Sequence, residues 1–229
     1  MNLPARSALF RAAALALLVL PSLPALAIEP FTADYQASYM GLQANGTMKV
    51  EAQGGNRWRY SLNIRNQVAN LSQNTVFDEK DGRYRPLSGS DHTTALFKKK
   101  NVDAVYDWDK RVATWSGDIK PDRTGPVALQ SGDMDGLLMN LALARDVAAG
   151  KPLNYRLVED GRAKPMSYQI AGKESVTVEG RTQEATKVVR GDGKRQIVAW
   201  VVPGVPVPVR IVQRENGADT LDLTIKSLR

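Results

Sequence analysis

The sequence predicts a mainly β protein: a curved antiparallel sheet or partly open barrel of roughly 11–13 strands, with one apolar helix (about 134–149) packed on its concave side. Three observations carry this expectation. Apolar and polar residues alternate with period two in run after run. Glycine-containing turn signals stand between the runs. One stretch alone switches to helical spacing.

The chain opens with Arg6 and Arg11 and no acidic residue near them, then an unbroken apolar run from Ala12 to Leu20. Pro21, Ser22 and Pro24 break any helix, and Ala25-Leu26-Ala27 has the small-x-small form that signal peptidase accepts. The apolar run is far short of the ~20 residues a membrane-spanning helix needs. Residues 1–27 therefore read as a cleavable secretory signal cut after Ala27, and residues 28–229 as a single β-rich periplasmic domain. The two arginines are not adjacent, which gives no support to a twin-arginine route.

The strands follow in order. Phe31, Ala33, Tyr35, Ala37 and Tyr39 alternate with Thr32, Asp34, Gln36 and Ser38. Trp58, Tyr60, Leu62 and Ile64 repeat the pattern, as do Val102, Ala104, Tyr106 and Trp108. Leu153, Tyr155 and Leu157 continue it, then Met166, Tyr168 and Ile170, and finally Leu221, Leu223 and Ile225. Each set falls on one face of a strand, the pattern of antiparallel sheets with one face packed and one wet. Gly54-Gly55-Asn56, Asp81-Gly82, Asp160-Gly161, Glu179-Gly180, Gly191-Asp192-Gly193 and Asn216-Gly217 supply the turns. Asp109-Lys110 is a weaker turn signal.

The exception is Asp133 to Gly150. Leu137, Leu138, Leu141, Ala144 and Ala148 form one face at helical spacing, and Met139, Leu143 and Val147 form a second row. Asp133 is the expected N-cap, Asp135 suits the positive end of the helix dipole, and Gly150 with Pro152 ends the helix. A helix apolar over most of its circumference is covered on more than one side. Lys120–Gly132 reads as the longest loop, and Val201–Val209, with Pro203, Pro206 and Pro208, as an edge or crossover.

Composition excludes several chemistries. There is no cysteine, so disulfides, thiol catalysis, thiolate metal sites and a lipid-accepting cysteine all drop out. The mature protein is expected to be soluble rather than lipid-anchored. The net charge of +7 falls to +5 once Arg6 and Arg11 are removed. Outside the cytoplasm that balance points to lipid head groups or other envelope anions, or to solubility alone, rather than to nucleic acid.

Several short motifs, taken together, resemble the domain-of-unknown-function 3108 family of exported bacterial proteins. They are Phe31-Thr32-Ala33-Asp34-Tyr35, Asp81-Gly82-Arg83-Tyr84-Arg85-Pro86, Gly132-Asp133-Met134-Asp135, Ala199-Trp200-Val201 and Pro208-Val209-Arg210. The resemblance covers residues 29–229 and implies an exported, β-rich domain. It carries over no catalytic residues. The layout is also similar to periplasmic lipoprotein carriers, in which a curved sheet wraps a helix around an apolar cavity, a likeness of fold alone.

Candidate chemistry is sparse. His92 is the single histidine, in the polar run Ser88–Thr94, with no Gly-x-Ser-x-Gly elbow to pair with it. Asp133 and Asp135 supply too few oxygens for a hard cation and are accounted for by capping. Asp103, Asp107 and Asp109 alternate along one strand and its turn as solvated charge. Zinc of the usual kind is unsupported, and no cofactor is expected. The aromatic and apolar set Tyr35, Tyr39, Trp58, Tyr60, Tyr106, Trp108, Leu138, Leu141 and Trp200 forms either core or the lining of a ligand cavity. Ile197–Val202 is apolar on both faces. Lys98, Lys99 and Lys100 form a basic patch that either guards a strand edge or meets an anionic surface.

These features favour a periplasmic binding or carrier protein for an apolar or amphipathic envelope molecule, such as a lipid, over an enzyme. The alternatives are an envelope hydrolase using paired carboxylates and a scaffold or assembly partner. A transmembrane barrel fits poorly with uneven strands and no aromatic girdles. Peripheral membrane contact is compatible with the basic charge, a transmembrane segment is not expected, and oligomeric state is not legible.

Overall fold

A computed structural model describes residues 28–39, 42–95, 98–191 and 194–229, without the side chains of Ala95 and Lys98. The expected signal at 1–27 lies outside the described residues. The main sheet is built first from β1 (Phe31–Tyr39), β2 (Leu42–Gly54), β3 (Arg57–Arg65), β4 (Ala69–Lys80), β5 (Arg83–Ala95), β6 (Lys98–Asp107), β7 (Val112–Gly117) and the short β8 (Val127–Ala128). Then come β9 (Asp133–Met134), helix α1 (Leu138–Ala148), β10 (Asn154–Glu159) and β11 (Arg162–Ser167). The chain returns through β12 (Gln169–Val178), β13 (Arg181–Gly191), β14 (Arg195–Val201), β15 (Arg210–Glu215) and β16 (Ala218–Leu228).

Among the described residues, thirteen strands form one antiparallel sheet in the order β12-β13-β14-β15-β16-β1-β2-β3-β4-β5-β6-β7-β8, which is not closed into a barrel. The first and last strands are neighbours in its middle, with Ala33 opposite Leu228 and Tyr39 opposite Leu221. From there the chain winds out to one edge, crosses the concave face through β9, α1, β10 and β11, and winds back from the other edge. β9 pairs in parallel with β10, and β10 pairs antiparallel with β11. The expected count covers the main sheet. The two-residue strands β8 and β9 are too short to show any period in the sequence.

Four hairpin turns form where the glycine pairs stand: Asp81-Gly82, Asp160-Gly161, Glu179-Gly180 and Asn216-Gly217 all have positive φ at both residues. That geometry matches the right-handed twist of the flanking strands. Asp109-Lys110 lies in a turn closed by Arg111 at φ 55°.

The helix begins later than the sequence suggests. Asp133 and Met134 are drawn into a strand by pairing with Arg156 and Leu157 of β10. The cap therefore passes to Asp135, whose Oδ1 accepts the Leu138 backbone N–H at 2.8 Å. Gly150, at φ 62°, turns the chain just beyond the helix end. Leu138, Met139, Leu141 and Ala142 pack into the main core. Leu143 packs with Val188 of β13 and Ala199 of β14, so both apolar rows find cover.

Val201–Val209 is neither an edge nor a crossover. It is the connection between the adjacent strands β14 and β15. Its apolar residues fold inward: Val202, Val207 and Val209 are buried, and the Tyr35 hydroxyl donates to the Pro208 carbonyl at 2.8 Å. Hydrophobic content keeps this proline-rich turn on the protein body while its prolines keep it out of the ladder.

Candidate functional site

Between the concave sheet face, α1 and the β9–β11 sheet lies a cavity of about 430 Å³. Packed interiors leave few voids larger than a water molecule, so this is a formed space and not a packing defect. Its lining divides by chemistry. Met48, Leu62, Ile197, Ile211, Leu221 and Leu223 give one apolar wall, continued by Leu137 and Met139 from the helix. Gln73, Asn74, Thr75, Ser90 and Asn140 line a polar corner together with Asp91, Asp135, Glu159 and Asp160. The division follows strand position. The residues that β2, β3 and β16 turn to the cavity are apolar, and those from the middle of β4 and β5, Gln73, Thr75, Ser90 and Asp91 among them, are polar.

Asp135 anchors the corner. It is 6% exposed, and its second oxygen accepts the Thr75 hydroxyl at 2.5 Å. Burial raises its pKa, against the hydrogen bonds from Leu138 and Thr75, which lower it. One carboxylate thus caps the helix and ties it to β4.

Glu159 closes β10 beside it. A Cβ at Gly136 would lie 3.0 Å from Glu159 Oε1, so the carboxylate rests close against the start of the helix. The side chain is wetted from the cavity yet ringed by protein. Enclosure, then the charges of Asp135, Asp160 and Asp91, push its pKa up to about 7, against the pull of Lys100. No side chain donates a hydrogen bond to it among the described residues. It is a cavity group poised to change charge near neutrality.

Lys100 is half-buried. It shares strand parity with Val102, Ala104 and Tyr106, whose side chains line the cavity, and its ammonium lies 3.2 Å from Asp91 and 3.9 Å from Asp160. Lys99 is exposed, as an anionic-surface contact requires, and the Lys98 side chain lies outside the described residues.

Of the residues expected to line a cavity, Tyr106 does so, with its hydroxyl donating to the Val158 carbonyl at 3.0 Å. Tyr35, Tyr60, Leu138 and Leu141 are buried in the main core, and Trp58 packs against it. Tyr39 is 49% exposed at the end of β1, beyond the packed face. Trp108 donates to the Pro86 carbonyl at 2.6 Å and lines a different pocket. Trp200 sits on the face of β14 opposite cavity-lining Ile197. Its indole N–H donates to Glu174 at 2.7 Å, and its ring lies between Lys187 and Arg210. Period two decides that outcome, because Trp200 and Ile197 have opposite parity.

His92 is on the exposed side of β5, 3.6 Å from Asp103. Asp133 is buried and paired with Arg156 at 2.5 Å. Among the described residues, no cluster of three or more His, Cys, Asp or Glu is placed to hold a metal ion. No helix among them is long and apolar enough to cross a membrane.

The family model for proteins of unknown function DUF3108 matches residues 34–224. The chain belongs to the DUF3108 family. The matched stretch of this DUF3108 protein starts inside the Phe31–Tyr35 motif and contains the other four. No functionally curated protein matches it. Among solved structures it is similar to MucB, with 9% identity, a TM-score of 0.38, and 87% of this chain and 52% of that one covered. It is also similar to a β-barrel-like protein of domain of unknown function DUF1849 from Brucella abortus, with 13% identity, a TM-score of 0.43, and 87% and 96% covered. The Pseudomonas aeruginosa MucA/MucB complex gives 10% identity, a TM-score of 0.38, and 87% and 51% covered. The DUF3108 chain spans about half the length of the MucB chains it matches.

Proposed function

We propose that this protein is a periplasmic binding or carrier protein that holds an amphipathic cell-envelope molecule in the concave cavity. In this reading residues 1–27 are the export signal, removed after Ala27. The observation that carries the proposal is the division of one 430 Å³ space into an apolar wall and an acidic, hydrogen-bonding corner. Its volume falls within the roughly 300–1,000 Å³ of small-molecule sites. The apolar part of the ligand lies along Met48, Leu62, Ile211 and Leu223. Its head group, a donor such as an amine, hydroxyl or amide, meets Glu159 beside Asp135.

The test is competition against an environment-sensitive fluorescent amphiphile. Dodecylamine displaces it at lower concentration than dodecanoate at pH 7.5, and Leu223→Trp, which fills the apolar wall, abolishes uptake. Equal uptake by Leu223→Trp, or no uptake by the wild type, refutes the proposal.

One observation favours a second reading, an envelope hydrolase. A carboxyl with a pKa near 7 in a cleft is suited to proton donation. Against it, both oxygens of the companion Asp135 already hold hydrogen bonds to Leu138 and Thr75. Turnover of envelope glycan or lipid that disappears in Glu159→Gln supports the hydrolase; retained ligand uptake by that variant, without turnover in the wild type, supports the carrier.

A further inference from the structure

A second pocket, of about 470 Å³, opens where three turns converge at one end of the sheet: the β4–β5 turn, the β6–β7 turn and residues 129–132. Its charge is opposite to that of the main cavity. Lys80, Arg83, Arg85 and Arg111 line it against one acid, Asp81. Arg85 is neutralised by a two-point pair with Asp78, at 2.8 and 2.6 Å. Among the described residues, no carboxylate lies within ion-pair distance of Lys80, Arg83 or Arg111. The pocket therefore holds three unneutralised cations against one acid.

Part of the pocket is already organised. Arg85 lies over the Trp108 ring at 5.5 Å, and the Trp108 indole is fixed by its bond to the Pro86 carbonyl. The Arg83 guanidinium donates to Ser131 Oγ at 3.3 Å and packs on Gly132, where a Cβ would stand 3.3 Å from Nη1. Gly132 has φ 92°, a backbone conformation that calls for glycine. A planar guanidinium held on one side keeps its remaining N–H groups for a planar or tetrahedral oxyanion. Arg111, held in the left-handed region at the turn, places a second guanidinium on the same pocket.

We infer that this turn pocket binds a phosphate-type oxyanion carried by a small molecule or a lipid head group, with Lys80, Arg83 and Arg111 as its ligands. The full chain is titrated with glycerol phosphate by calorimetry and, separately, sedimented with vesicles of phosphatidylcholine with or without phosphatidylglycerol. Arg111→Glu weakens binding about tenfold or more, the loss of one charge-assisted contact and the gain of a repulsion. Lys49→Glu makes the same change in net charge on β2, outside the pocket, and leaves binding within about twofold of wild type. Saturable binding of glycerol phosphate identifies a soluble phosphate compound as the ligand. Binding confined to phosphatidylglycerol vesicles, and lost in Arg111→Glu, identifies a membrane-borne phosphate. Failure to bind either, or equal loss in the two variants, overturns the inference.

Discussion

The two sides of the central cavity are built from the same kind of strand and do different work. On the β2–β3 and β16 side the cavity-lining residues are apolar and continuous with the main core. On the β4–β5 side the cavity is lined by Gln73, Thr75 and Asp91, the last paired with Lys100, with Asp135 and Glu159 facing them from the crossing segment. The first side draws its stability from burial. The second consists of groups whose burial is costly, held by one another's hydrogen bonds and charges. A fold that sets Asp91, Asp135, Glu159 and Asp160 along one cavity keeps a polar surface there, which is what an amphipathic ligand needs.

The comparison is tested hardest where packing is complete. Phe77→Ala, at a fully buried position of the main core, costs about 3–5 kcal/mol by chemical denaturation. Leu62→Ala, on the apolar wall, costs only about 2 kcal/mol, because a side chain facing a cavity has fewer atoms to lose. Equal costs at the two sites mean that the wall is packed and the cavity is absent in solution.

The polar corner gives the next largest effect. Asp135→Ala removes the helix cap and strands the Thr75 hydroxyl, costing roughly 2–3 kcal/mol. Asp135→Asn retains both contacts if the Thr75 hydroxyl turns to accept, and it costs under about 1 kcal/mol. It also removes a neighbouring negative charge, so the Glu159 pKa falls below about 7 in a carboxyl NMR titration. An unchanged Glu159 titration separates the two carboxylates electrostatically and breaks the corner as a unit.

Glu159 sharpens the comparison through pH. Its pKa is about 7 when folded against 4.5 for the ordinary group. Between those values the folded protein keeps a proton that the unfolded chain has released. Stability from this group is therefore complete below about pH 4.5 and falls as pH rises through 7. Glu159→Gln flattens that decline. At pH 8 the variant gains roughly 1 kcal/mol over wild type, a figure kept well below the raw shift because cavity water reaches the side chain. The smallest effect is expected outside both regions, where His92→Ala changes stability by less than about 0.5 kcal/mol.

Much of this architecture was legible in period-two alternation, because strands such as β1 have one dry face, while β14, buried on both, shows as the continuous apolar run Ile197–Val202. The turns were legible too, since Asp81-Gly82 or Asn216-Gly217 supplies a conformation few other pairs adopt. The helix start was not: parallel pairing of Asp133 with Arg156 is a contact between residues far apart in sequence, and capping alone cannot reveal it. The site was half legible. Lys100 carries the parity of Val102, Ala104 and Tyr106, and Glu159 that of Tyr155 and Leu157, so alternation already places a charge on each inward face. The convergence of Asp135 with Glu159 was not legible, because it depends on α1 and β10 crossing the concave face.

Native mass spectrometry of the full chain, exported and purified without detergent and then extracted with organic solvent, tests the central claim most directly. The account predicts a mass excess over the polypeptide that extracts as an amphipathic molecule and is missing from Leu223→Trp prepared in parallel. A bare polypeptide mass for the wild type, or the same excess on the filled variant, contradicts it.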